Sequence, residues 1–183
     1  MLLYLLKQNN WRQVLVFCKT KRGADNLVAE LAQANVKAKS IHANRTQHAR
    51  TIALDGFRDG SLRVLVATDI AARGIDIDDL PCVINVDLPY VAADYVHRIG
   101  RTGRAGAQGL AISLFSEDEL KPLIAIERLT GKTFKRETMI GFALTPSSKV
   151  KDDDDEYGNF EPNKVNKPRR RSLSDRPAKR RRK

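Results

Sequence analysis

The chain has 183 residues, 42% of them hydrophobic, which is enough for one well-buried core and argues against a second. No run approaches the roughly eighteen uninterrupted apolar residues of a membrane span, and the two cysteines, Cys18 and Cys82, lie far apart in apolar runs with no Cys/His cluster around them, so they read as reduced core thiols and not as a metal site. The net charge of +11 is uneven: residues 164–183 hold eleven of the 33 Lys and Arg and one of the 22 acids, which is +10, and leave positions 1–163 at +1. A block of like charge with Pro and Ser reads as a disordered arm for a polyanion.

The opening MLLYLLKQNN is short, has no basic lead-in and no small-residue cleavage pattern. It reads as a helix packed on the domain, not as a signal peptide. VLVFC (14–18) is a strand-length apolar run, and Ala24, Leu27, Val28 and Leu31 follow at helical spacing. The alternation repeats: Lys37–Ile41 as strand, then Thr46–Phe57 as a helix with Ala49, Ile52, Ala53 and Phe57 on one side. VLVA (64–67) and VINV (83–86) are two further strands, with at most a short helical turn, Asp69–Arg73, between them. Tyr90–Ile99 reads as helix, Leu110–Phe115 as strand, and Glu117–Leu129 as an amphipathic helix.

Strands apolar on both faces and separated by helices predict an α/β fold: a doubly wound, mostly parallel sheet with helices on both faces. Ligands of such sheets gather at the carboxyl ends of the strands. Lys19-Thr20-Lys21 and Thr68-Asp69 fall there. The folded domain is expected over residues 1–144, an acidic linker over 145–163, and a disordered basic RNA-binding tail over 164–183. Four consecutive aspartates, Asp152–Asp155, read as a solvated run and not as a metal site.

HRIGRTGRAG (97–106) spaces Arg98, Arg101 and Arg104 three apart among glycines, with no acid inside the stretch. Such crowding anticipates an anion, or else an ion-pair network at a helix end with acids such as Asp94. The chain offers no cradle for a nucleotide. Gly131-Lys132-Thr133 lacks the partner glycine of a phosphate loop, since position 126 is Ile126, and it follows the helical run LKPLIAIERL. It reads as a helix end with its glycine cap. No strand ends in an acidic pair that would hold magnesium. The arrangement fits an anion delivered by another domain, because arginines inserted into a nucleotide site in trans raise hydrolysis by about 10³–10⁵-fold. His42, His48 and His97 stand at no telling spacing from acids and read as structural.

At this point the sequence resembles a known family. HRIGRTGR (97–104) is similar to motif VI of the DEAD-box RNA helicases, VATDIAARGID (66–76) to motif V, and VLVFCKTK (14–21) to motif IV. Gln47-x-x-Arg50 sits where that family carries its Q-x-x-R element. The resemblance covers about residues 1–144 and implies the second of two RecA-like domains, with details closest to the bacterial RhlE-like branch. It implies Arg101 and Arg104 as catalytic fingers on the ATP phosphates, Asp76 on the ribose and Gly74 allowing close approach. It implies His97 and Arg98 as bridges to the first domain. Thr20, Lys21, Gln47, Arg50 and Thr68 are then RNA-backbone contacts. One departure stands out: His42-Ala43-Asn44 replaces the family's His-Gly-Asp, so no contact is assigned to Ala43.

The resemblance further implies an ATP-dependent RNA helicase, cytoplasmic and monomeric, using ATP with Mg2+ held mainly by an N-terminal RecA-like domain. The expectation is a C-terminal half without the phosphate-loop and DEAD domain, inactive as an ATPase by itself, whose partners are RNA and that domain, with no membrane. The competing reading is a stand-alone, ATP-independent RNA-binding or annealing module.

Overall fold

Residues that are apolar on both faces belong in the middle of a sheet covered on both sides. The computed structural model, which describes residues 1–73, 75, 77, 79–103, 109–139 and 141, places them there. Strands β1 (Val14–Phe17), β2 (Ala38–Ile41), β3 (Val64–Ala67), β4 (Cys82–Asn85) and β5 (Leu110–Ser113) form one sheet in the order β2-β3-β1-β4-β5. Every pairing is parallel, and Val14 aligns with both Val64 and Cys82. All four positions of β1, β3 and β4 are buried, whereas the edge strands AKSI and LAIS are only partly covered. Gly74, Asp76 and Arg104 lie outside the described residues, as do the domain end at residue 144, the 145–163 linker and the 164–183 tail.

The helices are α1 (Leu2–Gln8), α2 (Lys21–Gln33), α3 (Gln47–Arg58), α4 (Asp69–Ala72), α5 (Ala92–Ile99) and α6 (Leu120–Thr130), the last preceded by a 3₁₀ turn over Glu117–Glu119. Strand alternation divides the interior in two. Val14, Val16, Cys18, Val64, Val66 and Ile84 meet Leu2 and Leu6 of α1 and Ala24 and Leu31 of α2. On the opposite face Leu15, Phe17, Leu65 and Val83 meet Ala53 and Phe57 of α3 and Ala72 of α4. Burying each such Leu, Val or Phe stabilises by about 1.5–3 kcal/mol. A third cluster, Leu88, Tyr95, Leu123 and Ile126, locks α6 onto α5. Both cysteines are buried and unbridged, and burial pushes the Cys82 thiol up to about 12, so it stays protonated.

Local chemistry sets the ends. Thr20 caps α2 by accepting from the Gly23 N–H at 3.0 Å, and Thr46 caps α3 by accepting from Ala49 at 3.2 Å. Gly131 ends α6 at φ 64, which confirms Gly131-Lys132-Thr133 as a helix terminus. The last strand stops at Ser113, two residues short of the expected Phe115, because its partner β4 stops at Asn85.

Candidate nucleotide and nucleic-acid interface

The carboxyl end of β3 delivers Thr68 and Asp69 to the start of α4, and α5 brings Arg98 across to meet them. The Arg98 side chain is 1% exposed. Its Nε and Nη2 donate to the two Asp69 oxygens at 2.5 and 2.7 Å, while Nη1 donates to Asn85 Oδ1 at 3.1 Å and to the Asp87 carbonyl at 2.7 Å. The guanidinium also lies over the Phe17 ring, 4.9 Å from its centre. This is a planar bidentate pair, and Nη1 adds two further local bonds. A side chain buried and bonded in this way braces β3–α4 against α5, and it still contributes to the lining of the cavity described next. For this arginine, the ion-pair alternative describes the geometry.

Three residues on, the outcome differs. Arg101 is half-buried, and its Nη1 donates to the Ile75 carbonyl at 3.0 Å. Its backbone is pinned, because Leu80 N donates to the Arg101 carbonyl at 3.0 Å and the Thr102 hydroxyl donates to the Leu80 carbonyl. Gly103 then turns at φ 68, where a side chain is strained. A Cβ at Gly109 would sit 2.2 Å from Gly103 N, so the returning chain needs glycine there. Gly100, by contrast, has φ −64, a conformation open to any residue.

Arg101 shares a small cavity with Phe17, Asp69, Arg73, Asp94, His97 and Arg98. Asp94, its side chain 7% exposed, accepts from Arg73 Nη2 at 2.7 Å and lies 3.6 Å from His97 Nδ1. The His97 side chain is itself 71% exposed. Both carboxylates of the cavity are therefore held by arginines, which leaves a cationic lining suited to phosphate oxygens. Among the described residues, no group of three or more His, Cys, Asp or Glu is placed to hold a metal ion. The sequence reading placed Asp69 at a ligand-gathering strand end without a partner, and it gave Arg73 no role. The signal was present in TDIAARG, an acid and an arginine bracketing a four-residue helix.

The residues expected at RNA collect along the same edge of the sheet. Thr20 and Lys21 follow β1, Thr68 follows its neighbour β3, and Gln47 and Arg50 open α3 after β2. Arg50 Nη2 donates to the Ala71 carbonyl at 3.3 Å, and its Nε is buried without a partner among the described residues. Thr68 is 0% exposed and its Oγ1 is likewise without a partner there. The hydroxyl expected to meet the RNA backbone is thus buried in this chain by itself.

Beside this edge Asp25 of α2 gathers three donors: Ser40 Oγ at 2.6 Å, His42 Nε2 at 2.9 Å and Arg45 Nη2 at 2.6 Å. Burial pulls its carboxyl pKa up, but the hydrogen bonds from Ser40, His42 and Arg45 outweigh burial and hold it below the ordinary range. His42 and His97 each have an acidic neighbour after all; that of His42 comes from a different element, beyond the reach of spacing.

Comparison with known proteins completes the picture. The sequence profile of the helicase conserved C-terminal domain matches residues 1–106. The ATP-dependent RNA helicase RhlB of Pseudomonas syringae pv. tomato is 48% identical over 138 residues, which is 75% of this chain and 35% of that protein. Among solved structures, the E. coli DEAD-box protein SrmB, determined bound to the regulator of ribonuclease activity A, superposes with a TM-score of 0.71 at 36% identity, covering 75% of this chain and 81% of that one. A DEAD box protein from Methanococcus jannaschii gives 0.68 at 45% identity, covering 72% and 36%. The chain spans about a third or less of the length of the curated relatives it matches.

Proposed function

The chain belongs to the helicase conserved C-terminal domain family and, within it, to the DEAD-box RNA helicases, and from that membership we propose that it acts as the RecA-like C-terminal half of an ATP-dependent enzyme that locally unwinds RNA duplexes. The observation that carries the reading is the Asp69–Arg98 weld. It fixes the end of α5 so that Arg101 lies beside a cavity whose carboxylates are already held by Arg98 and Arg73.

In this reading ATP supplies the phosphoanhydride that is hydrolysed, and it is held with Mg2+ mainly by the N-terminal RecA-like domain. Arg101, with Arg104, contributes planar N–H donors where negative charge develops on the γ-phosphoryl oxygens. Asp76 holds the ribose, Gly74 permits close approach, and His97 meets the other domain. Thr20, Lys21, Gln47, Arg50 and Thr68 take the RNA backbone, since hydroxyls, amides and cations bind phosphate without reading sequence. The basic residues 164–183 add affinity by releasing counterions, with a log–log salt slope of about −0.7 per phosphate neutralised on a single strand.

RNA-stimulated ATPase measurements test the proposal. The chain alone is expected to show no turnover, because its sequence carries no loop to cradle phosphates. Joined to its N-terminal domain, Arg101→Ala should lower kcat on the order of 10³-fold and leave RNA affinity nearly unchanged. Arg101→Lys should rescue only partly, as an ammonium cannot make the planar contact. Near-normal kcat in Arg101→Ala would remove the finger. Removing residues 164–183 should flatten the salt dependence of RNA binding; an unchanged slope would withdraw the tail from RNA binding.

A further inference from the structure

One feature on the carboxyl edge is left unused by the proposed function. Lys19, in the loop after β1, holds its Nζ 3.8 Å from the centre of the Tyr90 ring. Its backbone N–H donates to Asp87 Oδ2 at 2.9 Å, which ties this loop to the one between β4 and α5. Tyr90 is 47% exposed, so its ring is not a core group. Lys19 directly precedes Thr20 and Lys21, and β1 stands between β3 and β4 in the sheet. The ring therefore continues the edge from Thr68, past Thr20 and Lys21, to the β4 side.

Charge decides what such a ledge can bind. Lys19 faces Asp87 through its backbone and feels the Asp118 carboxylate of the 3₁₀ turn, where Glu117 adds a second acid. With these acids around it, the site is a poor anchor for another phosphate. Tyr90 stays 47% exposed with Lys19 over one face of its ring, and an aromatic surface of this kind suits an uncharged π-system. Single-strand binders combine a backbone-tracking line of cations and polar groups with aromatic faces on which bases stack, whatever the sequence.

We propose that Tyr90 is the stacking ledge for one base of the single-stranded RNA whose backbone runs along Thr20 and Lys21, an inference that rests on the RNA-binding reading above. Lys19 fixes the ring in advance, so little side-chain freedom is lost when the base arrives.

The test compares binding of the full chain to two single-stranded probes of equal length, oligouridylate and an abasic oligomer with the same phosphates. The unaltered chain should prefer the base-bearing probe. Tyr90→Ala should weaken oligouridylate binding about tenfold, leave abasic binding and the salt slope unchanged, and leave the thermal unfolding midpoint in place. Tyr90→Phe should keep the preference. If Tyr90→Ala binds both probes as the parent does, or loses both equally, the stacking ledge is overturned while RNA binding by the chain stands. If the unaltered chain binds neither probe, the RNA-binding reading fails and takes the ledge with it.

Discussion

The two ends of the sheet are finished in opposite ways. At the amino end, Arg63 donates from Nε to the Trp11 carbonyl at 2.9 Å and from Nη2 to the carbonyls of Leu6 and Asn9 at 2.6 and 2.8 Å. One guanidinium thereby fastens the end of α1 and its following loop to the entry of β3. Gln13 donates in the same region to the Phe57 carbonyl at 2.5 Å. At the carboxyl end, three buried side-chain atoms have no partner among the described residues: His42 Nδ1, Arg50 Nε and Thr68 Oγ1. Buried polar atoms are ordinarily bonded, and each one left unsatisfied costs about 1–3 kcal/mol. One end ties its backbone carbonyls together for stability. The other keeps polar atoms poised at the edge where we place RNA and nucleotide.

The contrast can be broken most sharply at Arg98, a carboxyl-end group that braces the fold as Arg63 does at the amino end. Arg98→Met should destabilise the domain by about 3–5 kcal/mol, since it strands the Asp69 charge in the interior; denaturant unfolding measures this, and a loss under about 1 kcal/mol would return Arg98 to the pool of ligand arginines. Arg63→Ala should cost about 1–3 kcal/mol through its unpaired carbonyls, with RNA affinity unchanged. Any fall in RNA affinity there would blur the division between the ends. Thr68→Val should stabilise the domain by about 1 kcal/mol, because a methyl replaces a buried hydroxyl that has no partner among the described residues. The same variant should lower RNA affinity in a binding titration, and parent-like affinity would remove Thr68 from the interface.

The smallest effect concerns Asp25, whose side chain is 41% exposed. Its folded pKa is depressed, so its contribution to stability is complete above the ordinary carboxylate pKa near ~4 and is lost as pH falls through the lower folded value. Asp25→Asn should flatten the acid limb of a stability–pH curve in that window. A curve superimposable on the parent's would mean the three donors do not favour the charged form.

How far the sequence carries depends on where the cause of a feature lies. VLVF, VLVA and CVIN announce a covered sheet because both faces of each strand are apolar, and that property is local. Thr20, Thr46 and Gly131 announce helix ends for the same reason. Arg98 and Arg101 look alike in the sequence and border the same cavity, yet one is a buried brace paired to Asp69 and the other is half-buried and bonded to the Ile75 carbonyl. What separates them is Asp69, brought over by a different strand. The acid partners of Arg73 and His42 and the cation over Tyr90 likewise arrive from other elements. No local pattern records such meetings.

The strand order has a consequence for how the chain comes to be folded at all. β1 pairs with β3 and β4 and never with β2, its successor in the chain. During synthesis Val14–Phe17 must therefore wait until Val64–Ala67, and then Cys82–Asn85, have emerged. Non-local parallel pairing of this kind slows folding, since loop closure precedes any reward. Throughout that interval the most apolar strand is without its ladder, and α2, with Ala24 and Leu31 turned toward it, is the nearest cover that synthesis has supplied. A nascent chain halted before Val64 leaves that strand unpaired on both sides, a sticky edge of the kind that chaperones shield.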